Sequence, residues 1–363
     1  MSRPTSEEEV EFLVNLQRLL TEGQFVATYK YALLTALADI AVEEGTDAAA
    51  PLAISTRAIA EKFIVYYWRQ ASPYAPTGQQ AARVAVLRQN TGRQAGIVNL
   101  VEQARSRYED SLTDAMCDPR AWKELVAAVN QIVKVMPLWK LQTVGRENFD
   151  FLYENIGRGS CITLKPGIAA CLRKFHGLVT ELVRGAWVRR VRGYNAELMG
   201  ASSDLHEFLF GSERADLSEV AVVLREVQKG RCFYCDTRLA GGSAHVDHFV
   251  PWSRYPVDLG HNFVLAHQSC NSSKSDRLAA GGHLARWTGL LERHGQLLKA
   301  EFDRRRVFND PAVSVSITRW AYTQTLQARG MTWLGGNRLL RAEPEWLQPL
   351  DALAQQFAGG RAP

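Results

Sequence analysis

The chain has 363 residues, 46% of them hydrophobic, and a formal net charge of +5. A chain of this length and composition can bury substantial cores, so we expect two or three folded units. No run approaches about 18 apolar residues, which excludes a membrane-spanning helix, and the mild positive charge permits nucleic-acid binding without arguing for it. Residues 7–9 are glutamates, where a signal peptide would be basic and then apolar, so we expect a cytoplasmic protein.

The first 70 residues are predicted to be helical. Residues 7–46 have the pattern of two amphipathic helices around Gly23, and Ser55 is a start signal for a third helix that ends before Pro73. Two interpretations stay open, a helix-turn-helix that reads DNA and a plain helical bundle. We favour the bundle, because the third helix is rich in aromatic residues suited to a core. These are Phe63, Tyr66, Tyr67 and Trp68.

Residues 166–199 are a stronger candidate for a DNA-facing helix. Basic residues accumulate there, with Trp187 and Tyr194 among them. Basic side chains interleaved with aromatic rings suit a track of phosphates, although a solvated basic helix face has the same pattern. The candidate DNA-binding residues are Arg173, Lys174, Arg184, Arg189, Arg190 and Arg192.

Two pairs of soft metal ligands follow in the segment 232–274. Cys232 and Cys235 form the first pair, and His267 and Cys270 form the second. A spacing of two residues lets both side chains of a pair reach one ion, and structural zinc takes four such N or S ligands in a tetrahedron. The sequence therefore predicts a structural Zn²⁺ site. Two buried cysteines beside a surface histidine are the alternative, which the spaced double pair disfavours.

A second set of polar residues, suited to a hard cation, lies between these pairs and directly after the second pair. Asp247 is a carboxylate suited to Mg²⁺, and Asn271 offers an amide oxygen as a second ligand. His248 directly follows Asp247, and a histidine can take a proton from water near neutral pH. Adjacent side chains of a strand point to opposite faces, so both can approach one phosphate only where the strand bends or ends. Pro251 indicates that it ends. This set is typical of a divalent-metal hydrolase centre acting on a phosphodiester.

The elements around these residues are predicted in the order strand, loop, strand, helix. Residues 244–250 alternate between apolar and polar after a turn signal at Gly241-Gly242, and residues 261–267 form a second strand-like run. A helix is then predicted from residue 272 to a stop at Gly281-Gly282.

The stretch resembles an HNH endonuclease of the ββα-metal type, in the subgroup stapled by zinc. The resemblance covers roughly residues 228–282 and rests on the order DH…N…N…K, given by Asp247-His248, Asn262, Asn271 and Lys274. It is similar to the HNH domain of CRISPR effector nucleases and of many restriction and homing nucleases. The last position of the namesake pattern, a histidine, is Asn271 here, which is a common variant.

The resemblance implies a role for each residue of the reacting centre. His248 would be the general base that activates water. Asp247 and Asn271 would hold one Mg²⁺ or Mn²⁺ against the phosphate and the leaving oxygen. The zinc ion would be structural, so the chain would carry two kinds of metal.

The resemblance also implies three supporting groups. Asn262 would bond to backbone and keep the loop behind His248 in shape, and Lys274 would contact a phosphate. His245 stands at a position that varies in the family, and it would support the site from outside the ligand set.

We predict a mainly α protein with a small α+β module. Helical N-terminal and C-terminal regions would surround a zinc-stapled ββα-metal (HNH) nuclease domain. The predicted regions are a helical N-terminal domain that binds DNA or a partner (1–145), a helical connecting region with the basic helix (146–225), the nuclease domain (226–285) and a helical C-terminal region (286–363). Residues 313–317 are predicted either as a short strand or as the approach to a helix.

Two functions compete at this stage. The first is a metal-dependent endonuclease that nicks DNA, and the second is a catalytically silent zinc-stapled module for DNA binding or assembly. The first is favoured, because a binding module has no need for Asp247, His248 and Asn271 together. The chemistry of the site does not separate DNA from RNA. The resemblance extends to restriction-type and anti-phage defence nucleases of bacteria, which implies protein partners from such a system. The sequence does not determine the oligomeric state, the sequence specificity or the trigger.

Overall fold

A computed structural model of the chain describes residues 2–75, 84–154, 159–198, 205–211, 217–240 and 244–358. The chain divides into two compact units, unit 1 (Met1–Ser212) and unit 2 (Glu213–Pro363). The described residues are mainly helical with small two-stranded sheets, which confirms the predicted fold class. None of their helices is both long enough and apolar enough to span a membrane.

Unit 1 is a helical assembly with short antiparallel sheets. Its third helix begins where the sequence predicts, because the Ser55 hydroxyl accepts a hydrogen bond from the Ala58 N–H at 3.0 Å. The helices are α1 (Ser6–Glu22), α2 (Tyr29–Glu44), α3 (Thr56–Gln70), α4 (Gly96–Arg107), α5 (Leu112–Met116), α6 (Pro119–Val135), α7 (Pro137–Lys140), α8 (Ile168–Lys174), α9 (His176–Tyr194) and α10 (Leu205–Phe210). A 3₁₀ turn covers Ala196–Leu198, and the strands are β1 (Leu52–Ser55), β2 (Pro73–Tyr74), β3 (Ala85–Val86), β4 (Thr143–Val144), β5 (Glu147–Asn148) and β6 (Cys161–Leu164).

The prediction of an amphipathic second helix is wrong. Helix α2 is buried on almost every side, because α3, α8 and α9 all pack against it. Helix α1 keeps the predicted pattern, with an inner face of Phe12, Leu16 and Leu19 and an exposed outer face. The two helices differ in how many other helices pack against them, and the hydrophobic pattern along one helix does not reveal that number.

The aromatic residues of α3 belong to the core of unit 1. Phe63 and Tyr67 are fully buried, and Tyr67 packs against Trp187 of α9 at a ring distance of 5.5 Å. Two basic side chains of α3 bond within the unit, Lys62 to Glu43 and Arg69 to backbone carbonyls. The structure therefore favours the helical bundle over a helix-turn-helix reader.

One hydrophobic core runs through unit 1 from Phe12 to Leu209. It includes side chains from both the predicted N-terminal domain (1–145) and the predicted connecting region (146–225). Because α9 packs on α2, this core continues across the predicted boundary at residue 145. The predicted nuclease domain (226–285) and C-terminal region (286–363) both lie in unit 2.

Unit 2 is built around the antiparallel pair β7–β8, in which Asp247 lies opposite Val264 and His248 opposite Phe263. This is the predicted order of strand, loop, strand and helix, and β7 ends at His248 as Pro251 indicated. The helices are α11 (Ser218–Val227), α12 (Gln268–Lys274), α13 (Gly281–Arg304), α14 (Pro311–Gln327) and α15 (Gln348–Ala358). The strands are β7 (Ala244–His248), β8 (Phe263–His267), β9 (Met331–Gly335) and β10 (Arg338–Arg341), with 3₁₀ turns at Gly260–Asn262 and Pro344–Leu347.

Two details of unit 2 differ from the prediction. The helix after β8 ends at Lys274, where Ser275 adopts a left-handed φ of 52°, and Gly281 begins the next helix rather than ending this one. Residues 313–317 are helical and belong to α14. The predicted turn at Gly241-Gly242 lies outside the described residues.

Candidate active site

The four soft ligands predicted for zinc come together in unit 2. Their ligand atoms all lie within 4.8 Å of one another. Zn–S bonds of about 2.3 Å in a tetrahedron place ligand atoms roughly 3.8 Å apart, so a small contraction would seat an ion. The cluster could therefore hold Zn²⁺. Its members are Cys232, Cys235, His267 and Cys270.

Hydrogen bonds around the cluster orient these ligands. Nε2 of His267 lies 3.3 Å from the Arg238 carbonyl and can donate to it, which leaves Nδ1 as the nitrogen with a free lone pair. That Nδ1 is 3.4 Å from Sγ of Cys235. Burial acts to raise the pKa of the Cys235 thiol, but hydrogen bonds with Thr237, Cys232 and His267 together outweigh it and bring the pKa to about 6. Burial and the neighbouring cysteines raise the pKa of Cys270 to about 12, so the thiolate forms most readily at Cys235.

His248 is the last residue of β7 and pairs with Phe263 of β8. Its ring packs between Trp252 and Phe263, at ring distances of 5.5 and 4.8 Å. Its side chain is 20% exposed, so solvent still reaches it. Nε2 of His248 lies 2.7 Å from Oδ1 of Asp258. With Nε2–H donating to the carboxylate, Nδ1 remains the nitrogen that can accept a proton.

Asp258 was not predicted from the sequence. It lies in the irregular segment between β7 and the 3₁₀ turn at Gly260–Asn262, where an acidic residue is unremarkable by itself. The sequence does contain one indication of this role, which is that a carboxylate stands ten positions after the candidate base, in a loop that Asn262 closes. Only the chain reversal between β7 and β8 brings it to His248.

Asn262 holds that loop through its side chain. Its Oδ1 accepts from the Val250 N–H at 2.8 Å, and its Nδ2 donates to the Val250 carbonyl at 3.0 Å. The Asn262 carbonyl also accepts from the Phe249 N–H at 2.7 Å. These three bonds join the two ends of the loop that carries Asp258, as expected of an architectural residue.

Asp247 points away from His248 and into the protein. Its Oδ2 accepts from the Tyr234 hydroxyl at 2.5 Å and lies 3.0 Å from Nζ of Lys274. Burial, and then the Asp247 carboxylate, raises the pKa of Tyr234 well above its usual value, so the hydroxyl stays protonated and donates. Both contacts use Oδ2 of the carboxylate.

The expected phosphate contact of Lys274 is wrong for this structure. The side chain is fully buried between α12 and β7, and Nζ donates to the His248 carbonyl at 2.8 Å. Burial lowers the pKa of the ammonium, and the Asp247 carboxylate partly offsets that. Lys274 therefore fixes the end of β7 to α12 and forms an ion pair with Asp247.

The two remaining predicted residues differ in position. Asn271 lies on α12 three residues before Lys274, so the two share a helix face, and α12 packs against the strand that carries Asp247. His245 is exposed on β7 opposite Ala266. It forms no hydrogen bond or ion pair within the described part of the chain, so the structure provides no contact for its expected supporting role.

The basic residues predicted to face DNA lie in unit 1 and differ widely in exposure. Arg173 is 2% exposed, because it bonds to Asp47 at 2.9 Å and to the carbonyls of Ala41 and Val42 at 3.0 and 2.7 Å. The prediction that Arg173 contacts DNA is therefore wrong. Arg189, Arg190 and Arg192 of α9 are exposed.

Lys174 and Arg184 lie between these extremes. Lys174 is 44% exposed but pairs with Glu9 at 2.6 Å. Arg184 is 20% exposed and lies over the Phe210 ring at 5.4 Å. Both side chains have partners within unit 1.

Two family models match the chain. The model described as HNH endonuclease matches residues 232–277, which contain the four soft ligands, His248, Asp258 and the rest of the inner set. The model described as a domain of unknown function (DUF8808) matches residues 9–209. No curated protein and no solved structure matches. The HNH match confirms the family resemblance read from the DH…N…N…K order.

Proposed function

The chain belongs to the family described as a domain of unknown function (DUF8808), which covers more than half of it, and it carries an HNH endonuclease domain; from this premise we propose a metal-dependent endonuclease that hydrolyses phosphodiester bonds in DNA. One observation carries the proposal. His248, a solvent-accessible histidine at the end of β7, is held by the Asp258 carboxylate. This arrangement suits a general base.

In this proposal His248 takes a proton from the attacking water. Nδ1 is the accepting atom, and Asp258 holds the ring and stabilises the imidazolium that forms. Asn262 keeps the Asp258 loop in place, and Lys274 keeps the His248 backbone in place. The base is thus positioned before substrate arrives.

A divalent cation fits the remaining donors. Oδ1 of Asp247 and the amide oxygen of Asn271 are hard oxygen ligands of the kind that Mg²⁺ and Mn²⁺ prefer. When bound, such an ion stabilises the charge that develops on the phosphate and the leaving oxygen. Tyr234 and Lys274 hold the carboxylate of Asp247 in place for this role.

The proposed product is a nick. One such centre cuts one strand, so a double-strand break would need two copies of the chain or two successive cuts. The choice of DNA over RNA and the setting in bacterial restriction-type or anti-phage defence, with its partner proteins, are both supported by the family resemblance. An RNA substrate is the outcome to test against.

The decisive experiment incubates the purified full chain with supercoiled plasmid under three conditions, with Mg²⁺, with Mn²⁺ and with EDTA. We expect open circles with either metal and none with EDTA, because the phosphate charge is then uncompensated. A labelled RNA hairpin is incubated in parallel. DNA binding without scission under all three conditions would favour the silent binding module instead, and cleavage of RNA alone would replace the substrate.

Replacing Asp258 by asparagine should lower the nicking kcat by about 10–100-fold, the effect seen when a partner that orients a histidine is lost. KM for plasmid should change little, because Asp258 faces His248 rather than the nucleic acid. Initial rates over a range of plasmid concentrations separate the two constants. Glu292→Gln, an exposed acid-to-amide change on α13, is the matched control. Equal kcat in Asp258→Asn and the control would contradict the orienting role.

A further inference from the structure

A hairpin outside the HNH match is joined to the helix that carries Asn271. Strands β9 and β10 form this hairpin. The Trp333 N–H donates to the Leu278 carbonyl at 2.8 Å, and the Ala280 N–H donates to the Trp333 carbonyl at 2.7 Å. Residues 278–280 follow α12 closely, so the hairpin and the helix are parts of one structure.

The turn of the hairpin lies against α12 itself. Ser273 Oγ donates to the Gly336 carbonyl at 2.8 Å, and the indole N–H of Trp333 contacts both of these groups at 3.1 and 3.0 Å. Ser273 is two residues beyond Asn271, so the two side chains lie on different sides of α12. The turn therefore packs against α12 on a different side from the proposed metal ligand.

The outer strand of the hairpin is unusually exposed. All four residues of β10 are exposed, and the apolar side chains Leu339 and Leu340 are 43% and 38% accessible. Neither Arg338 nor Arg341 forms an ion pair or side-chain hydrogen bond within the described ranges. They stand at the two ends of β10, and the register of the hairpin is irregular between Arg338 and Leu339.

The tip of the hairpin has no side chains at two successive positions. Gly335 and Gly336 have φ values of 139° and 54°, a conformation that favours glycine. An added Cβ at Gly336 would meet no atom within 4 Å, so the space in front of this position is open. The ribbon can therefore approach a ligand closely with its backbone.

We propose that the β9–β10 hairpin enters the major groove of duplex DNA. That groove admits a two-stranded ribbon and has phosphates along both walls. The arginines at the two ends of β10 suit these phosphates, and the exposed leucines suit base edges and thymine methyl groups. The inference rests on the proposed function and deepens it, because it names the element that grips the substrate.

The test compares the double variant Arg338→Ala/Arg341→Ala with the matched control Arg293→Ala/Arg304→Ala, two exposed arginines of α13. Binding of a fluorescein-labelled duplex is measured by anisotropy in EDTA, which prevents cleavage, over a range of salt concentrations. We expect the hairpin variant to raise Kd at least tenfold and to reduce the salt slope by about two, one per arginine. Zinc content and melting temperature report on the fold.

Several outcomes would overturn the hairpin proposal. Equal Kd and salt slope in the hairpin variant and the control would do so, even if the wild-type protein nicks plasmid and the proposed function stands. An equal loss of affinity for single-stranded DNA would exclude groove binding. Hairpin-dependent binding of duplex by a protein that never nicks would leave the groove contact in place and remove the endonuclease proposal.

Discussion

Replacing His248 by alanine is expected to reduce the rate of plasmid nicking by about 10²–10⁴-fold, the contribution of a positioned general base. The imidazole is the group held by Asp258 with its second nitrogen free, and alanine has no proton acceptor. The rate of conversion of supercoiled to open-circular plasmid in Mg²⁺ measures the loss. Affinity for duplex DNA in EDTA should stay unchanged, because the proposed role of the ring is proton transfer and not DNA binding.

Two controls separate lost chemistry from lost structure in this experiment. His294→Ala removes a histidine from α13 in the same unit, and it should nick at the wild-type rate. Zinc content of His248→Ala should match the wild type, because Asn262 and Lys274 hold the local backbone through bonds to Val250 and the His248 carbonyl. The melting temperature should fall only by the loss of the ring contacts with Trp252 and Phe263 and of the bond to Asp258, with a single cooperative transition kept. Undiminished nicking by the variant would remove His248 from the mechanism and would favour another base.

Replacing Cys232 by serine is expected to abolish zinc binding and to unfold the β7–β8 region. Cys232 is 1% exposed, and its Sγ accepts from the His267 N–H at 3.4 Å, so it joins the two halves of the site. Structural zinc contributes about 10–16 kcal/mol of apparent binding free energy in small zinc modules. Zinc per chain by mass spectrometry should fall from about one to near zero, and amides of β7 and β8 should lose protection from hydrogen exchange.

The matched control for this prediction is Cys161→Ser. Cys161 is exposed on β6 in unit 1 and lies outside the ligand cluster, so that variant should keep its zinc. Amides of unit 1 should stay protected in both variants, because unit 1 has its own hydrophobic core. Full zinc occupancy in Cys232→Ser would contradict the assignment of the ligands.

The start of α3 and the layout of the HNH region could be predicted because both depend on short-range features. Ser55 caps the helix through a bond to a residue three positions on. The spacing of each ligand pair and the strand, loop, strand, helix order are likewise local patterns. By contrast, the sequence predicts one solvent-exposed face for α2. The helices that bury this face include α8 and α9, which come from distant parts of the chain.

Residue types and spacing between 232 and 274 were sufficient to predict the cluster of four soft ligands and the HNH resemblance, because metal chemistry admits few side chains. Tertiary structure alone decided which polar groups are already engaged. It buries Lys274 against Asp247 and buries Arg173 inside unit 1. It also places Asp258 next to His248 and the β9–β10 hairpin against α12. The physical reason is that a charge is exposed or paired according to what the rest of the chain packs against it, and that packing is set by contacts between residues far apart in sequence.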